Sequence, residues 1–207
     1  SKQVVDELLG DDGKLNLGGE QREVTILFTD IRGFTSMSEK MEPERVVTTL
    51  NEYFSDMIDI VFKHNGTLDK IIGDELMVLY GAPLSGDNDT QRAVETAVEM
   101  QEKIKDLNKE REQRKEPPIL VGAGINKGLV VSGNIGSRDL MDYTVIGDTV
   151  NVASRLCAAA GPGEIMVSKS VYQTIKESFS SKKLSPIKVK GKEKKVPVFL
   201  VTHKKSK

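Results

Sequence analysis

The first half of the sequence switches between two hydrophobic periodicities, and their order constrains the fold more than any other feature. Residues 24–29 are a β-branched apolar run of strand length. Apolar residues at helical spacing follow over 43–64, a hairpin pattern with a tight Gly-Asp turn over 67–80, and a second helical pattern over about 90–114. Strand, helix, hairpin and helix in this order predict an α+β fold, with helices on one side of a mainly antiparallel sheet.

The second half continues the same alternation. The segments 119–126 and 128–134 predict another hairpin. A helix is expected to begin near Asp148 and to end near Ala160, because Gly-Pro-Gly follows. The later pattern predicts a strand at 165–167, a helix capped by Ser168, and closing strands near 187–189 and 196–202.

Length and composition fit a single soluble domain. The 207 residues are 38% hydrophobic and 29% charged, which is enough for one core and too short for two complete domains. We expect a linker with a helical start over 1–20, the folded domain over 21–203 and a basic tail over 204–207. No apolar run reaches the roughly 18–20 residues of a membrane-spanning helix. We therefore expect no membrane insertion of this fragment, and a cytoplasmic protein or the cytoplasmic domain of a membrane-anchored one.

The net charge of −1 hides an asymmetry. Residues 182–207 contain ten lysines and one acid and carry +9, whereas the other 181 residues carry −10. Such a basic segment suits nucleic acid, an anionic membrane surface, a phosphorylated ligand or simply solvent. It lacks the interleaved aromatic residues that stack on bases, so we expect no nucleic-acid partner. Lys204, Lys205 and Lys207 are expected to be solvated.

Two carboxylates stand at the ends of predicted strands. Asp30 ends the first strand, and Asp74 lies at the tip of the first hairpin. If these strands are neighbours, the two side chains converge at one sheet edge and can hold two divalent cations about 3.5–4 Å apart. The alternative is that Asp30 caps a helix and Asp74 only favours the turn. Residues 31–35 (IRGFT) favour the first interpretation, because a glycine before a helix exposes N–H groups that can bind phosphate oxygens.

Asn151 and Arg155 are four residues apart in the helix predicted after Gly147. Both side chains are therefore expected to project from one face. An amide and a guanidinium together can orient a sugar and stabilise phosphate charge, and an exposed polar pair without such a role is the alternative. Residue type and spacing leave both interpretations open.

Other kinds of site are excluded by the residues available. The glycines of 122–128 (GAGINKG) have the wrong spacing and lie in strands, so they do not form a dinucleotide fingerprint, and no P-loop motif is present. One cysteine and two histidines are too few for a zinc site or a convincing nucleophilic triad, so oxygen atoms must hold any metal. We expect Cys157 to pack in a helix, and His64 and His203 to be solvated.

Four segments in order closely resemble the class III nucleotidyl cyclase catalytic domain. They are 28–35 (FTDIRGFT), 50–54 (LNEYF), 66–77 (GTLDKIIGDELM) and 143–155 (YTVIGDTVNVASR). The resemblance extends over about 23–201 and implies a ferredoxin-like (palm-like) βαββαβ core with extra C-terminal αβ elements. It also implies a homodimer that converts a nucleoside triphosphate into its 3′,5′-cyclic monophosphate and pyrophosphate, at two sites across the subunit interface.

The resemblance also implies roles for single residues. The groups implied to hold two Mg²⁺ or Mn²⁺ ions per site are the carboxylates of Asp30 and Asp74 and the backbone carbonyl of Ile31. Those implied to bind the triphosphate are the amides of Gly33, Phe34 and Thr35 and the side chain of Lys190. The other subunit is implied to supply Lys70 and Thr144 for the base, Asn151 for the ribose and Arg155 for the α-phosphate.

The base-reading pair favours ATP. A lysine can donate to an adenine ring nitrogen and a threonine can accept from the exocyclic amine, whereas guanylyl members carry an acidic residue and typically a cysteine at these positions. Threonine here resembles the soluble, bicarbonate-responsive subgroup. One departure is Leu140, where members often carry an arginine, and the role of nearby Arg138 stays open.

The resemblance therefore predicts an adenylate cyclase of cyclic nucleotide signalling, with ATP as substrate and an upstream sensor domain in the full-length chain. The alternatives are a guanylate cyclase, a catalytically silent domain that dimerises or regulates, and a polymerase-like palm. A silent domain usually lacks a metal aspartate or the transition-state arginine, and this chain has both. A palm does not account for the set Lys70, Thr144, Asn151 and Arg155.

Overall fold

A computed structural model describes residues 18–137, 140–188 and 195–205. Most of the predicted N-terminal linker, together with Arg138, Lys190 and Lys207, lies outside these ranges. The elements in the described ranges are β1 (Gly18–Ile31), α1 (Phe34–Ser38), α2 (Pro43–Lys63), β2 (Thr67–Ile72), β3 (Glu75–Tyr80), α3 (Asp89–Gln113), β4 (Val121–Gly136), β5 (Met141–Ile146), α4 (Asp148–Ala159), β6 (Ile165–Ser168), α5 (Lys169–Ile175), β7 (Phe179–Lys183) and β8 (Val198–Lys204). None of the described helices is long and apolar enough to cross a membrane.

The sheet confirms the predicted βαββαβ core. Its strand order is β2-β3-β1-β4-β6-β8-β7, and β5 pairs with β4 outside this path. β1 is antiparallel to both β3 and β4, whereas β4 and β6 are parallel. The first four strands with α2 and α3 therefore form the core, and β6, α5, β7 and β8 extend it at the C-terminal side.

Helices cover both faces of the sheet, so the expectation of helices on one side is wrong. One face of β1 contributes Leu27 and Ile31 to a core shared with α2, α3 and α5. The other face contributes Ile26 and Phe28 to a core shared with Ala153 of α4. All of residues 24–29 are buried. A strand that is apolar on both faces requires cover on both, which is the physical reason for the position of α4.

The hairpin predicted at 119–126 and 128–134 is also wrong. These residues belong to the single strand β4, which pairs with β1 continuously from Gly18↔Asn134 to Ile31↔Val121. Gly128 suggested a turn, but a Cβ atom there would lie 2.8 Å from Oγ1 of Thr149, so the glycine serves close packing. The observed hairpin joins β4 to β5.

The other local predictions mostly hold. The predicted helices at 43–64 and 90–114 are α2 and α3, and the predicted hairpin at 67–80 is β2 and β3. Ser168 caps α5, because its hydroxyl accepts a hydrogen bond from the Val171 N–H. The strand expected near 187–189 is reduced to an isolated bridge between Ile187 and Val196 within the described residues, and β7 (FSSKK) was missed because it is short and polar.

Glycines of β4 allow α4 to approach the sheet directly. A Cβ atom on Gly124 would lie 2.0 Å from the backbone nitrogen of Cys157 and 2.6 Å from the carbonyl oxygen of Ala153. Cys157 is buried, as predicted. Because α4 carries the predicted pair Asn151 and Arg155, this contact between two backbones fixes the position of both residues relative to the sheet.

Candidate active site

Asp30 and Asp74 lie close together, as the sequence predicts. β1 pairs with β3 up to Thr29↔Leu76, which places the end of β1 beside the β2–β3 turn. Burial, followed by a hydrogen bond to Asp30 and the charge of Asp30, raises the pKa of Asp74 to about 6, although the N–H groups of Asp74 and Ile31 act in the opposite direction. A nearby cation would favour the ionised form of Asp74, which burial and the neighbouring carboxylate oppose.

Glu75 adds a third acid to this cluster, and the sequence did not point to it. Burial and then the charges of Asp30 and Asp74 raise the pKa of Glu75 to about 7, while Arg32 acts in the opposite direction. Nη2 of Arg32 lies 3.0 Å from Oδ2 of Asp30. The cluster thus combines three acids with one close cation.

The donor set of this cluster suits hard cations. Within the described ranges, no group of three His, Cys, Asp or Glu side chains is arranged to hold a metal ion. The arrangement instead offers two neighbouring carboxylates, and oxygen ligands are those that Mg²⁺ and Mn²⁺ prefer. The residues present therefore fit Mg²⁺ or Mn²⁺.

The segment after Asp30 presents backbone N–H groups. Gly33 precedes α1 with φ of 71°, a left-handed conformation that glycine adopts without strain. Phe34 packs against the core and Thr35 is exposed. Their N–H groups belong to the first turn of α1, where a helix supplies no internal acceptor. An anion near this turn would find free donors.

Lys70 and Thr144 meet through a residue that the sequence did not single out. Oγ1 of Thr144 donates to Oδ2 of Asp69 at 3.0 Å, and Nζ of Lys70 lies 3.4 Å from the same oxygen. Nζ of Lys70 also donates to Oδ2 of Asp142 at 2.6 Å. β2 and β5 lie on opposite sides of β4 in the strand order, so the contact between them is long-range. The only signal for Asp69 in the sequence is that it is a polar residue next to Lys70.

Asn151 and Arg155 lie on α4 with exposed side chains, as predicted for one helix face. Within the described part of the chain, no hydrogen bond or ion pair joins them to the carboxylates or to the Lys70–Asp69–Thr144 cluster. Lys190 and Arg138 lie outside the described residues. One chain therefore assembles two groups of predicted site residues and leaves the α4 pair separate.

Several other predictions are corrected or refined. His64 is not simply solvated, because its Nε2 lies 2.8 Å from Oε2 of Glu99. Lys204 is exposed and pairs with Glu95 at 2.8 Å. Burial raises the pKa of the Cys157 thiol to about 12, so this cysteine is not a reactive thiolate at neutral pH.

A cavity of about 590 Å³ lies towards the other end of β1 and is separate from this site. Arg22, Thr25 and Lys127 contribute to its lining, and none of the predicted site residues that the structure describes does.

Comparison with known proteins identifies the family. The catalytic-domain family of adenylate and guanylate cyclases matches residues 19–202. An adenylate cyclase of Anabaena cylindrica is 39% identical over 189 residues, covering 87% of this chain and 37% of that protein. The chain thus spans about a third of the length of curated relatives that it matches.

Solved structures give the same result. The adenylyl cyclase CyaB from P. aeruginosa is 36% identical with a TM-score of 0.87, covering 90% of this chain and 97% of that one. The guanylyl cyclase Cya2 is 38% identical with a TM-score of 0.82, covering 89% and 94% respectively. The first of these structures is named an adenylyl cyclase and the second a guanylyl cyclase. The structural similarity therefore shows the family but does not show which nucleotide is the substrate. The chain belongs to the family of adenylate and guanylate cyclase catalytic domains.

Proposed function

We propose that this domain is an adenylate cyclase, which converts ATP into 3′,5′-cyclic AMP and pyrophosphate. The observation that carries the choice of ATP is the meeting of Lys70 and Thr144 in one cluster. An ammonium group can donate to a ring nitrogen of adenine, and a hydroxyl oxygen can accept from the exocyclic amine. A guanylate cyclase is the alternative, because a similarly close solved relative carries that name.

Asp30 and Asp74, with the backbone carbonyl of Ile31, would hold two Mg²⁺ or Mn²⁺ ions. The acid cluster around Asp74 and Glu75 supports this assignment, because burial first, and then the neighbouring carboxylates, raise the pKa values of these groups, and a bound cation would favour their ionised forms. When bound, such ions lower the pKa of an attacking hydroxyl and neutralise a leaving pyrophosphate.

The remaining proposed roles belong to groups of this chain that touch the nucleotide. The amides of Gly33, Phe34 and Thr35, together with Lys190, bind the β- and γ-phosphates. Asn151 orients the ribose, which aligns the 3′-hydroxyl with the α-phosphorus. Arg155 stabilises the charge that develops on the α-phosphate, an effect of about 3–4 kcal/mol for comparable donors.

A homodimer would complete the site. Arg155 and Asn151 are exposed and separate from the carboxylates of their own chain, so a second copy is the natural source of both groups for each site. Apolar side chains on the β4–β5 hairpin are also exposed, and Val131 and Ile146 are direct cross-strand neighbours there. A contiguous exposed apolar surface of this kind is typical of a protein–protein interface.

A turnover assay tests the proposal. Purified protein with Mn²⁺ and ATP is expected to release cyclic AMP and pyrophosphate, and Asp30→Ala is expected to abolish this reaction. Faster cyclisation of GTP than of ATP would instead identify a guanylate cyclase. The absence of any cyclic product with both nucleotides and both metals would favour the catalytically silent alternative. The upstream sensor domain, the bicarbonate response and the cytoplasmic location stay predictions from the sequence.

A further inference from the structure

The ladder between β2 and β3 is interrupted at Asp69. Leu68 pairs with Val78 and Lys70 pairs with Met77, so Asp69 is the extra residue of a β-bulge. Val78 belongs to the core beside α2 and α3, whereas Met77 belongs to the core beside α4. The bulge therefore turns Lys70 to the α4 side of the sheet, where Asp69 reaches it. A regular strand would alternate and place these two side chains on opposite faces.

The Asp69 carboxylate is buried and only partly paired. Its side chain is 1% exposed, and Oδ1 is a buried acceptor without a hydrogen-bond partner among the described residues. Burial raises the pKa of Asp69, although Lys70 and Thr144 both act in the opposite direction. A buried carboxylate with an unpaired oxygen costs stability, so stabilisation of the fold does not explain this residue.

The contact with Asp69 gives the Thr144 hydroxyl a direction. A hydroxyl has one proton to donate and two lone pairs, whereas an ionised carboxylate only accepts. The proton of Thr144 therefore lies in the bond to Asp69, and Oγ1 can only accept from any other group. The exocyclic amine of adenine is a donor, and the corresponding O6 of guanine is an acceptor. Thr144 held in this way matches adenine and opposes guanine.

We propose that Asp69 is a positioning residue that sets nucleotide specificity, because it fixes the Thr144 hydroxyl as an acceptor and, together with Asp142, pairs with Lys70 beside it. Asp69 does not touch the nucleotide itself, since both of its oxygens are enclosed by the protein. This inference rests on the proposed function, in which Lys70 and Thr144 contact the base.

Asp69→Asn tests the inference. The asparagine amide has nearly the same size but can donate as well as accept, so the Thr144 hydroxyl becomes free to donate to guanine. The ratio of kcat/KM for ATP to that for GTP is expected to fall about tenfold or more, the size of one lost charged hydrogen bond. Asp69→Ser, which also offers a group that both donates and accepts, is expected to shift the ratio in the same direction. An unchanged ratio in both variants would overturn the proposal.

A double-mutant cycle separates positioning from a structural role. Thr144→Val removes the hydroxyl, so adding Asp69→Asn to that variant should change the ATP-to-GTP ratio far less than in the wild type. Equal shifts in both backgrounds would contradict the proposal. Thermal unfolding of Asp69→Asn is a second measurement. If Asp69 stabilised the fold, the variant would unfold at a lower temperature than the wild type. Because the carboxylate is buried and only partly paired, we expect the unfolding midpoint not to fall.

Controls separate this inference from the proposed function. Asp106→Asn removes a carboxylate of the same kind from the exposed surface of α3, where it pairs with Lys109, and is expected to leave the ratio unchanged. A wild-type protein that prefers ATP, with an Asp69→Asn variant that keeps the same preference, would refute only this inference. A wild-type protein without any cyclase activity would refute the proposed function and this inference with it.

Discussion

At the scale of single residues, Asp74 and Glu75 are carboxyl groups that their surroundings make hard to ionise. Burial is the largest cause for both, and Asp30 adds to it. Their pKa values, about 6 and about 7, lie above the ordinary 3.8 and 4.5. Between the ordinary and the raised values the folded protein binds more protons than the unfolded chain, so the free energy of unfolding falls as the pH rises.

The raised pKa values of Asp74 and Glu75 predict how the stabilisation of the protein by Mn²⁺ depends on pH. A divalent cation binds the ionised carboxylates, so its stabilising effect should grow as the pH passes from 5 to 8. Thermal unfolding with and without Mn²⁺ measures this: the metal-free midpoint should decrease over that range, and the rise caused by Mn²⁺ should be largest at pH 8. Asp74→Asn should remove most of the Mn²⁺ effect. An equal effect of Mn²⁺ at pH 5 and pH 8 would argue against a metal site at these carboxylates.

At the scale of elements, the contact between β4 and α4 depends on one missing side chain. The backbone of α4 lies where a Cβ atom of Gly124 would be, and backbone atoms cannot move aside as a flexible side chain can. The same contact sets the direction in which α4 presents Arg155. The packing of α4 against β4 therefore determines where Arg155, the residue proposed to act on the α-phosphate, lies.

Gly124→Ala is expected to destabilise the domain by at least about 3 kcal/mol, the upper end for an overpacked core. Chemical denaturation of the purified variant measures this loss. Gly161→Ala is the matched control, because its nearest neighbour is the flexible side chain of Glu164 at 3.2 Å, and it should cost much less. Similar midpoints for the two variants would mean that α4 does not pack as closely as the structure shows.

At the scale of the whole molecule, one chain holds separate parts of the proposed site. The carboxylates lie at the end of β1 and in the β2–β3 turn, whereas Arg155 lies exposed on α4. If each site takes its carboxylates from one subunit and its arginine from the other, defects in the two parts can complement each other.

Mixing inactive variants tests this arrangement. Asp74→Ala and Arg155→Ala are each expected to be inactive, and their mixture should recover about a quarter of wild-type activity, because half of randomly formed dimers are mixed and have one intact site of two. Asp30→Ala mixed with Asp74→Ala is the matched control and should stay inactive, since both changes affect the same part. No recovery in the first mixture, while mixed dimers are detected by size and mass, would contradict the composite site.

Local features of the chain were predictable. Turn residues, helical periodicity and the position of acids after strands depend on near neighbours in the sequence, and they located Asp30, Asp74 and the helices α2, α3 and α4. Where a local feature misled, packing was the cause: Gly128 resembled a turn residue although it lies inside a continuous strand.

The sequence alone therefore determined the order and type of most elements and the residues that belong to the family's motifs. Tertiary structure alone decided that α4 covers the second face of the sheet, that Glu75 joins the acid cluster, and that Asp69 connects Lys70 to Thr144. These features depend on contacts between segments far apart in the chain, such as that between Asp69 and Thr144, which are 75 positions apart. Burial and long-range hydrogen bonds set the charge state and the direction of such groups, and no local pattern encodes either of them.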